Sequence, residues 1–188
     1  DPAGLILTVN YVIMGAETIQ VTLGRGRALK AEIVAQDFEI GLALLRVKRQ
    51  GLQAVSVGDS DTLTRGESVF AIGSTGPRER RVAGGLVTHL GEFEAYWEYL
   101  LDEALFTAPA HPQWGGAGLL DAQGHLIGIG SLLVQEQVNR EVTQANMFVP
   151  IDLLAPIFDG MLQTGRSPYP ARPWLGMSTQ DPEGKLVV

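Results

Sequence analysis

The order of apolar and polar residues predicts a chain built mostly from short β-strands. In Thr18–Leu23, the apolar residues Ile19, Val21 and Leu23 alternate with polar ones, which is the pattern of a strand with one buried face. Turn signals recur at intervals of about 8–12 residues, a spacing that favours an all-β barrel or sandwich over βαβ units. The other strand-like runs are Gly4–Thr8, Ala28–Ala35, Leu42–Val47, Val55–Gly58, Ser68–Gly73, Val82–Leu90, Glu103–Thr107 and Leu126–Val134.

Only the C-terminal part of the chain carries a helix pattern of several turns. Asp152 is the candidate N-cap of a helix over Leu153–Gln163, with Pro156 near its first turn and Gly165 at its end. After the helix, Ser167–Pro173 contains three prolines, which predicts a stiff and extended linker.

Composition and charge narrow the class of protein. The 188 residues are 45% hydrophobic with 23 Gly and 10 Pro, which is typical of a β-rich globular domain with many turns. The net charge of −7 argues against nucleic acid as a partner. No apolar run reaches about 18 residues, so we expect no membrane insertion by this chain. Cysteine is absent, and the one basic cluster, Arg78-Glu-Arg-Arg81, is expected to be a solvated loop tip.

The loop Thr107–Leu120 is the strongest candidate for a functional site. Its closely spaced Gly115, Gly116 and Gly118 keep backbone N–H groups accessible and let another chain come near. In a protease, such a loop presents a nucleophile and an oxyanion hole. Here the chain has no Ser, Cys or Thr from residue 108 to residue 129, so this loop carries no nucleophile.

Several segments, taken in order, resemble the HtrA/Deg family of trypsin-like serine proteases. The resemblance implies an all-β fold of two packed six-stranded-type β-barrels with a C-terminal helix, and an active site between the barrels. It also implies a bacterial envelope protein, often trimeric, that handles damaged proteins. The segments that carry it are Leu5–Ile13, Asp37–Val47, Val55–Ser60, Gly66–Thr75, Gly85–Thr88, His111–Leu119, Gly124–Ile129 and Arg172–Met177.

The family's catalytic positions fall on residues of different chemistry. By resemblance, the histidine position is Tyr11, the aspartate position is Gly41 and the serine position is Gly115, with Gln113, Trp114 and Gly115 as an oxyanion-like loop. A phenol titrates near ~10, so it accepts protons poorly at neutral pH. Glycine offers no side chain for a triad. The sequence therefore predicts a pseudoenzyme, a catalytically inactive relative.

The resemblance also divides the chain into domains. Residues 1–165 are expected to form the double barrel and residues 166–173 the linker. Residues 174–188 are expected to be the start of a truncated PDZ domain. Trp174, Leu175, Gly176 and Met177 resemble the loop with which PDZ domains bind a peptide's C-terminal carboxylate. The alternative is that Trp174 and Leu175 only pack the linker on the barrel.

The predicted function is a peptide-binding or scaffold subunit in protein quality control, located in the bacterial cell envelope. Its predicted partners are unfolded or C-terminal peptides and further copies of itself, as a trimer by family resemblance. We expect no cofactor and no metal, because His89, His111 and His125 lack the spacing of a metal site. Two alternatives stay open: a repurposed hydrolase or metal-binding protein that uses His111, and a barrel kept only for oligomer assembly.

Overall fold

A computed structural model describes residues 1–24, 28–74, 76, 79–94, 100–138 and 141–170, with only the backbone for residues 137 and 138. Within these residues the chain forms ten β-strands, two short 3-10 turns and one α-helix. The predicted all-β fold with one C-terminal helix is therefore confirmed.

The N-terminal half is a four-stranded antiparallel sheet in the order β1-β4-β3-β2. Alternating residues of β4, namely Ala43, Leu45 and Val47, pack with Ile13 and Ala31 on one side of the sheet. The resemblance implied six strands in this half, whereas the described residues contribute four. The strands are β1 (Leu5–Val9), β2 (Ile19–Thr22), β3 (Ala28–Asp37) and β4 (Leu42–Val47).

The C-terminal half is a closed six-stranded barrel in the order β10-β7-β6-β5-β8-β9, as predicted for this half. Its interior is filled by apolar side chains from facing strands, including Val69, Val87, Leu119 and Phe148. Closure pairs every strand on both sides, so the barrel presents no open edge. The strands are β5 (Ser68–Ser74), β6 (Arg80–Glu94), β7 (Leu100–Ala108), β8 (Gly118–Leu120), β9 (Leu126–Val138) and β10 (Glu141–Pro150).

A shared apolar core joins the two halves. Val9 and Leu42 of the N-terminal sheet lie in one buried cluster with Ile129, Met147 and Val149 of the barrel. Helix α1 (Ala155–Thr164) adds a second connection, because it follows the barrel in the chain and packs back on the N-terminal sheet. The halves therefore form a continuous packed body, with the β1 end against β9.

Two details of the predicted elements are wrong. Asp152 does not cap the helix; it lies in the 3-10 turn Ile151–Leu153, and its carboxylate accepts hydrogen bonds from the Ser60 N–H and hydroxyl. The predicted strand Val55–Gly58 is reduced to one bridge between Val57 and Leu126. The predicted helix end is confirmed: Gly165 has a left-handed φ of 78°, and its N–H donates to the Met161 carbonyl.

None of the helices in the described part of the chain has the length and apolar character needed to cross a membrane.

We expect the helix contact to contribute strongly to stability. Met161 is fully buried against Ala35 and Leu44, so Met161→Ala should lower the free energy of unfolding by about 2–5 kcal/mol. The matched control is Leu162→Ala, the next residue on the same helix, which is 38% exposed and should cost about 1 kcal/mol or less. Urea denaturation measures both. Equal losses would contradict the packing described here.

Candidate functional site

The segment that carries Tyr11 is held by the turn between β3 and β4. It is the 3-10 turn Asn10–Val12, which follows β1 directly. The Asn10 N–H donates to the Gly41 carbonyl at 2.8 Å, and the Asn10 side-chain amide donates to the Asp37 carbonyl. The sequence thus places Tyr11 next to Gly41 through its neighbour Asn10.

The turn from Asp37 to Gly41 is shaped by a carboxylate and a glycine. The buried Asp37 side chain accepts the N–H groups of Glu39 and Ile40 at 2.9 and 2.8 Å. Gly41, also buried, has a φ of 72°, in the left-handed region. A side chain at this φ costs about 1–2 kcal/mol, so the turn itself favours glycine at this position.

The glycine-rich loop is fastened to β9 by a short hydrogen-bond ladder. The Gly116 N–H donates to the Gly130 carbonyl at 2.8 Å, and the Gly130 N–H donates to the Ala117 carbonyl at 2.7 Å. The Ala117 N–H closes a tight turn on the Trp114 carbonyl, also at 2.8 Å. This arrangement leaves Gly115 exposed at the tip of the turn.

Tyr11 and Gly115 meet where the two halves join. The Tyr11 hydroxyl donates to the Ser131 carbonyl of β9 at 2.5 Å. A Cβ on Gly115 would lie 2.9 Å from the Tyr11 Oη, closer than ordinary packing allows. The structure therefore brings Tyr11 and Gly115, which are far apart in sequence, into close contact, and it joins Gly41 to Asn10, the neighbour of Tyr11. The correspondence of Tyr11, Gly41 and Gly115 to a catalytic triad stays a prediction.

His111, in the first half of the loop Thr107–Leu120, is buried, and only 1% of its surface is exposed. Its Nε2 donates to the Arg81 carbonyl at 3.1 Å, and its Nδ1 accepts the Gln113 N–H at 3.1 Å. Both ring nitrogens are thus engaged by the backbone, as in a neutral imidazole with the proton on Nε2. This geometry leaves no nitrogen for a metal or a substrate proton, so it does not favour the alternative based on His111.

The hydrogen bond between Gln113 and His111 also determines which N–H groups of the oxyanion-like loop are available to a ligand. Because the Gln113 N–H is bound to His111, it does not point to a ligand. Among the described residues, no acceptor bonds the Gly115 N–H, which stays available at the exposed tip. Of the predicted loop residues Gln113, Trp114 and Gly115, the glycine is the exposed one.

A pocket of about 270 Å³ opens beside Gly115. One wall is the end of β5, residues 72–74, and the other is formed by Gln113 and residues 115–117, with Arg80 at the margin. A larger and mostly apolar cavity of about 920 Å³ lies along β1 and the residues before Ser56 and reaches Arg80 as well. The sequence predicted Arg80 as part of a solvated loop tip, and only the pairing of β5 with β6 places it at the pocket.

One group of acids in the described chain is close enough to consider as a cation site. Carboxylate oxygens of Asp59, Asp61 and Asp152 lie within 4.8 Å of one another. Asp59 and Asp61 are exposed, and the Asp152 carboxylate already accepts hydrogen bonds from Ser60. Exposed carboxylates of this kind commonly occur without an ion, so the geometry does not by itself indicate a metal.

The turn between β8 and β9 contains the group with the clearest electrostatic shift. Burial raises the pKa of Asp121, but hydrogen bonds from the His125 backbone and ring and from the Gln123 N–H outweigh it. The net effect holds the pKa of this carboxyl below its ordinary value. His125 therefore fastens this turn through its hydrogen bonds to Asp121.

The second predicted binding site, Trp174, Leu175, Gly176 and Met177, lies outside the described residues.

Comparisons with known proteins agree with the fold. A family model described as a trypsin-like peptidase domain matches residues 1–129. A probable periplasmic serine endoprotease, DegP-like, from Halomonas elongata is 29% identical over 187 residues, which is 98% of this chain and 38% of the relative. The serine protease Do-like HtrB from Bacillus subtilis is 31% identical over 183 residues, 94% of this chain and 39% of the relative. The chain thus spans less than two fifths of the length of these two relatives.

Solved structures give the same result. The HtrA-type protease AlgW with decapeptide superposes with a TM-score of 0.76 at 28% identity, over 96% of this chain and 54% of that chain. Deg5 superposes with a TM-score of 0.71 at 26% identity, over 89% of this chain and 82% of that chain.

These comparisons correct one prediction. The absence of a triad at Tyr11, Gly41 and Gly115 predicted a pseudoenzyme, that is, a chain that is not an enzyme. The relatives aligned over nearly the whole chain are named as a probable serine endoprotease and a serine protease, at 29% and 31% identity, and this similarity points to a protease. The prediction of a pseudoenzyme is therefore wrong. The prediction rested on the identities of three residues, whereas the similarity extends over 94–98% of the chain.

We expect Tyr11 and Gly115 to be coupled. The positive φ of 76° belongs to Gly116 and not to Gly115, so Gly115→Ala should destabilise only through its clash with the Tyr11 hydroxyl, by about 1–3 kcal/mol. In the background of Tyr11→Phe, which lacks that hydroxyl, the cost of Gly115→Ala should fall by about 1 kcal/mol. Chemical denaturation of the four proteins measures the coupling. Additive losses would rule out the close approach.

We also expect the loop to require a glycine on β9. A Cβ on Gly130 would lie 2.1 Å from the Trp114 carbonyl oxygen, so Gly130→Ala must displace the loop and should cost at least about 1–3 kcal/mol. The control is Gly84→Ala on β6, where the nearest atom is 3.7 Å away and the effect should stay within about 0.5 kcal/mol. Thermal denaturation compares the two. A tolerated Gly130→Ala would contradict the ladder.

Proposed function

Because the chain belongs to the family of trypsin-like peptidase domains, in its HtrA branch, we propose that it binds unfolded polypeptides in extended form at the junction of its two halves. The observation that carries this proposal is the geometry of the Gly115 loop. The loop is rigidly fastened to β9, its tip is exposed, and the Gly115 N–H has no acceptor among the described residues. A fixed and unpaired backbone donor suits the main chain of an extended peptide.

Two further observations support a polypeptide as the ligand. The pocket beside Gly115 has a volume of about 270 Å³, enough for a side chain, so an extended segment has a place for one residue next to the loop. The similar HtrA-type protease AlgW has been solved with a tripeptide and with a decapeptide. A backbone-directed contact also fits unfolded proteins as partners, because it does not depend on one peptide sequence.

The proposal extends to location and assembly. The relatives from Halomonas elongata and Marinomonas are named as probable periplasmic proteins, and we propose the bacterial cell envelope as the location of this chain. Handling of unfolded proteins there is a role in protein quality control. A homo-oligomer, the division into residues 1–165, 166–173 and 174–188, and peptide binding through a PDZ domain stay predictions from the family resemblance.

The proposal predicts saturable binding of an unfolded protein. Reduced and carboxymethylated α-lactalbumin, labelled with fluorescein, should raise its fluorescence anisotropy on titration with the chain, whereas the native disulfide-bonded form should not. Hydrogen exchange followed by mass spectrometry should show slower exchange in peptides that cover residues 113–116 when the unfolded protein is bound. The exposed turn at residues 122–124 serves as the control, because it is remote from the pocket and should keep its exchange rate.

Absence of saturable binding would overturn the proposal, as would protection that leaves residues 113–116 unchanged. Analysis of the same mixtures for cleavage products measures hydrolysis separately, which is the activity that the names of the relatives describe.

A further inference from the structure

We propose that the pocket beside Gly115 takes a carboxylate of the bound polypeptide, an Asp or Glu side chain, through the guanidinium of Arg80. This inference rests on the proposed function, since it assigns a preference to the same binding site. Nothing in the names of the relatives describes such a preference.

The position of Arg80 follows from strand pairing. The hairpin of β5 and β6 places Arg80 directly opposite Ser74, at the last pair of the ladder. Ser74 fastens the hairpin further, because its hydroxyl donates to the Gly76 carbonyl at 2.9 Å. Arg80 is therefore held at the strand end, next to the wall formed by residues 72–74, and it is one of the residues that line the pocket.

The opposite wall belongs to the loop that we propose as the binding site. Gly115 and Gly116 line the same pocket as Arg80, so the pocket is continuous with the accessible Gly115 N–H. The two walls are also fixed with respect to each other. A Cβ on Gly73 would lie 2.4 Å from the Gln113 carbonyl oxygen, which shows how closely the loop packs on the end of β5. A residue bound over Gly115 can thus place its side chain in the pocket.

Arg80 is the charged residue among those that line the pocket, so the charge there is positive. The residues that line it include Arg80, Ser74 and Gln113 but neither Asp nor Glu. In the described part of the chain, the ion pairs join Lys48 to Glu32 and His125 to Asp121, and Arg80 has no acidic partner. In a chain of net charge −7, a cation without a partner at the mouth of a pocket favours an anionic ligand group. The planar guanidinium matches a carboxylate with two parallel hydrogen bonds.

The test compares labelled, flexible peptides that differ only at one central residue, Glu or the isosteric Gln. By fluorescence anisotropy, the Glu peptide should bind about fivefold more tightly than the Gln peptide, the scale of a partly exposed ion pair. Higher ionic strength should reduce the difference. A third peptide with the central Gln and an amidated C-terminus separates an internal carboxylate from the terminal one. Loss of affinity on amidation, with no Glu preference, would overturn the assignment to a side chain.

Arg80→Gln should abolish the preference, and Arg80→Glu should reverse it. The matched control is Arg81→Gln, which removes the same charge one residue away, on the opposite face of β6, and should keep the preference. Arg81 contributes its carbonyl to His111, and that contact survives the substitution. Far-ultraviolet circular dichroism confirms folding, which exposed positions tolerate well.

The outcomes separate this inference from the proposed function. Equal binding of the Glu and Gln peptides would overturn the carboxylate pocket and leave the proposed function standing. A preference that persists in Arg80→Gln but is lost in Arg81→Gln would also overturn it. Binding of no peptide at all, and of no unfolded protein, would overturn both.

Discussion

The close approach of two backbones, the glycine-rich loop and strand β9, is the contact on which the site depends. Gly130 donates to and accepts from this loop, and it lies so near the Trp114 carbonyl that a methyl group would not fit. Backbone hydrogen bonds at 2.7 and 2.8 Å, protected by the barrel wall, hold the loop in one conformation. The exposed Gly115 N–H and the pocket beside it owe their fixed geometry to this contact.

Tyr11 links that loop to the other half of the molecule. Its hydroxyl donates to the Ser131 carbonyl of β9. Tyr11 belongs to a turn that is held to Gly41 by the N–H of Asn10. The shared apolar core, in which Val9 and Leu42 lie in one buried cluster with Met147, holds the two halves together. The phenol fills the space in which a side chain at position 115 would stand, so the residues at positions 11 and 115 fit each other in shape.

The identities of three residues and the similarity to known proteases point to different conclusions about enzymatic activity. The identities of Tyr11, Gly41 and Gly115 describe side chains at three points. The similarity to serine endoproteases describes the backbone, the core and the loop positions over nearly the whole chain. The backbone features that we propose for binding a polypeptide, a clamped loop and a pocket, do not require particular side chains at those three points. Peptide binding is therefore the property that the described geometry supports most directly.

The sequence by itself determined the fold class, because the alternation of apolar and polar residues, the spacing of turns and the positions of glycines are local patterns that specify strands and turns. It also located the loop, through its three glycines, and the helix end at Gly165. It was wrong about Asp152, whose carboxylate accepts hydrogen bonds from the distant Ser60, and about the strand at Val55–Gly58, which is reduced to one bridge with Leu126. Only the tertiary structure decided that His111 is buried with both nitrogens engaged, that Arg80 borders a pocket, and that Tyr11 meets Gly115. Apart from the bond between His111 and Gln113, which is local, these facts depend on contacts such as those between His111 and Arg81 and between Tyr11 and Ser131, which are 30 and 120 positions apart. Such contacts leave no local pattern in the sequence.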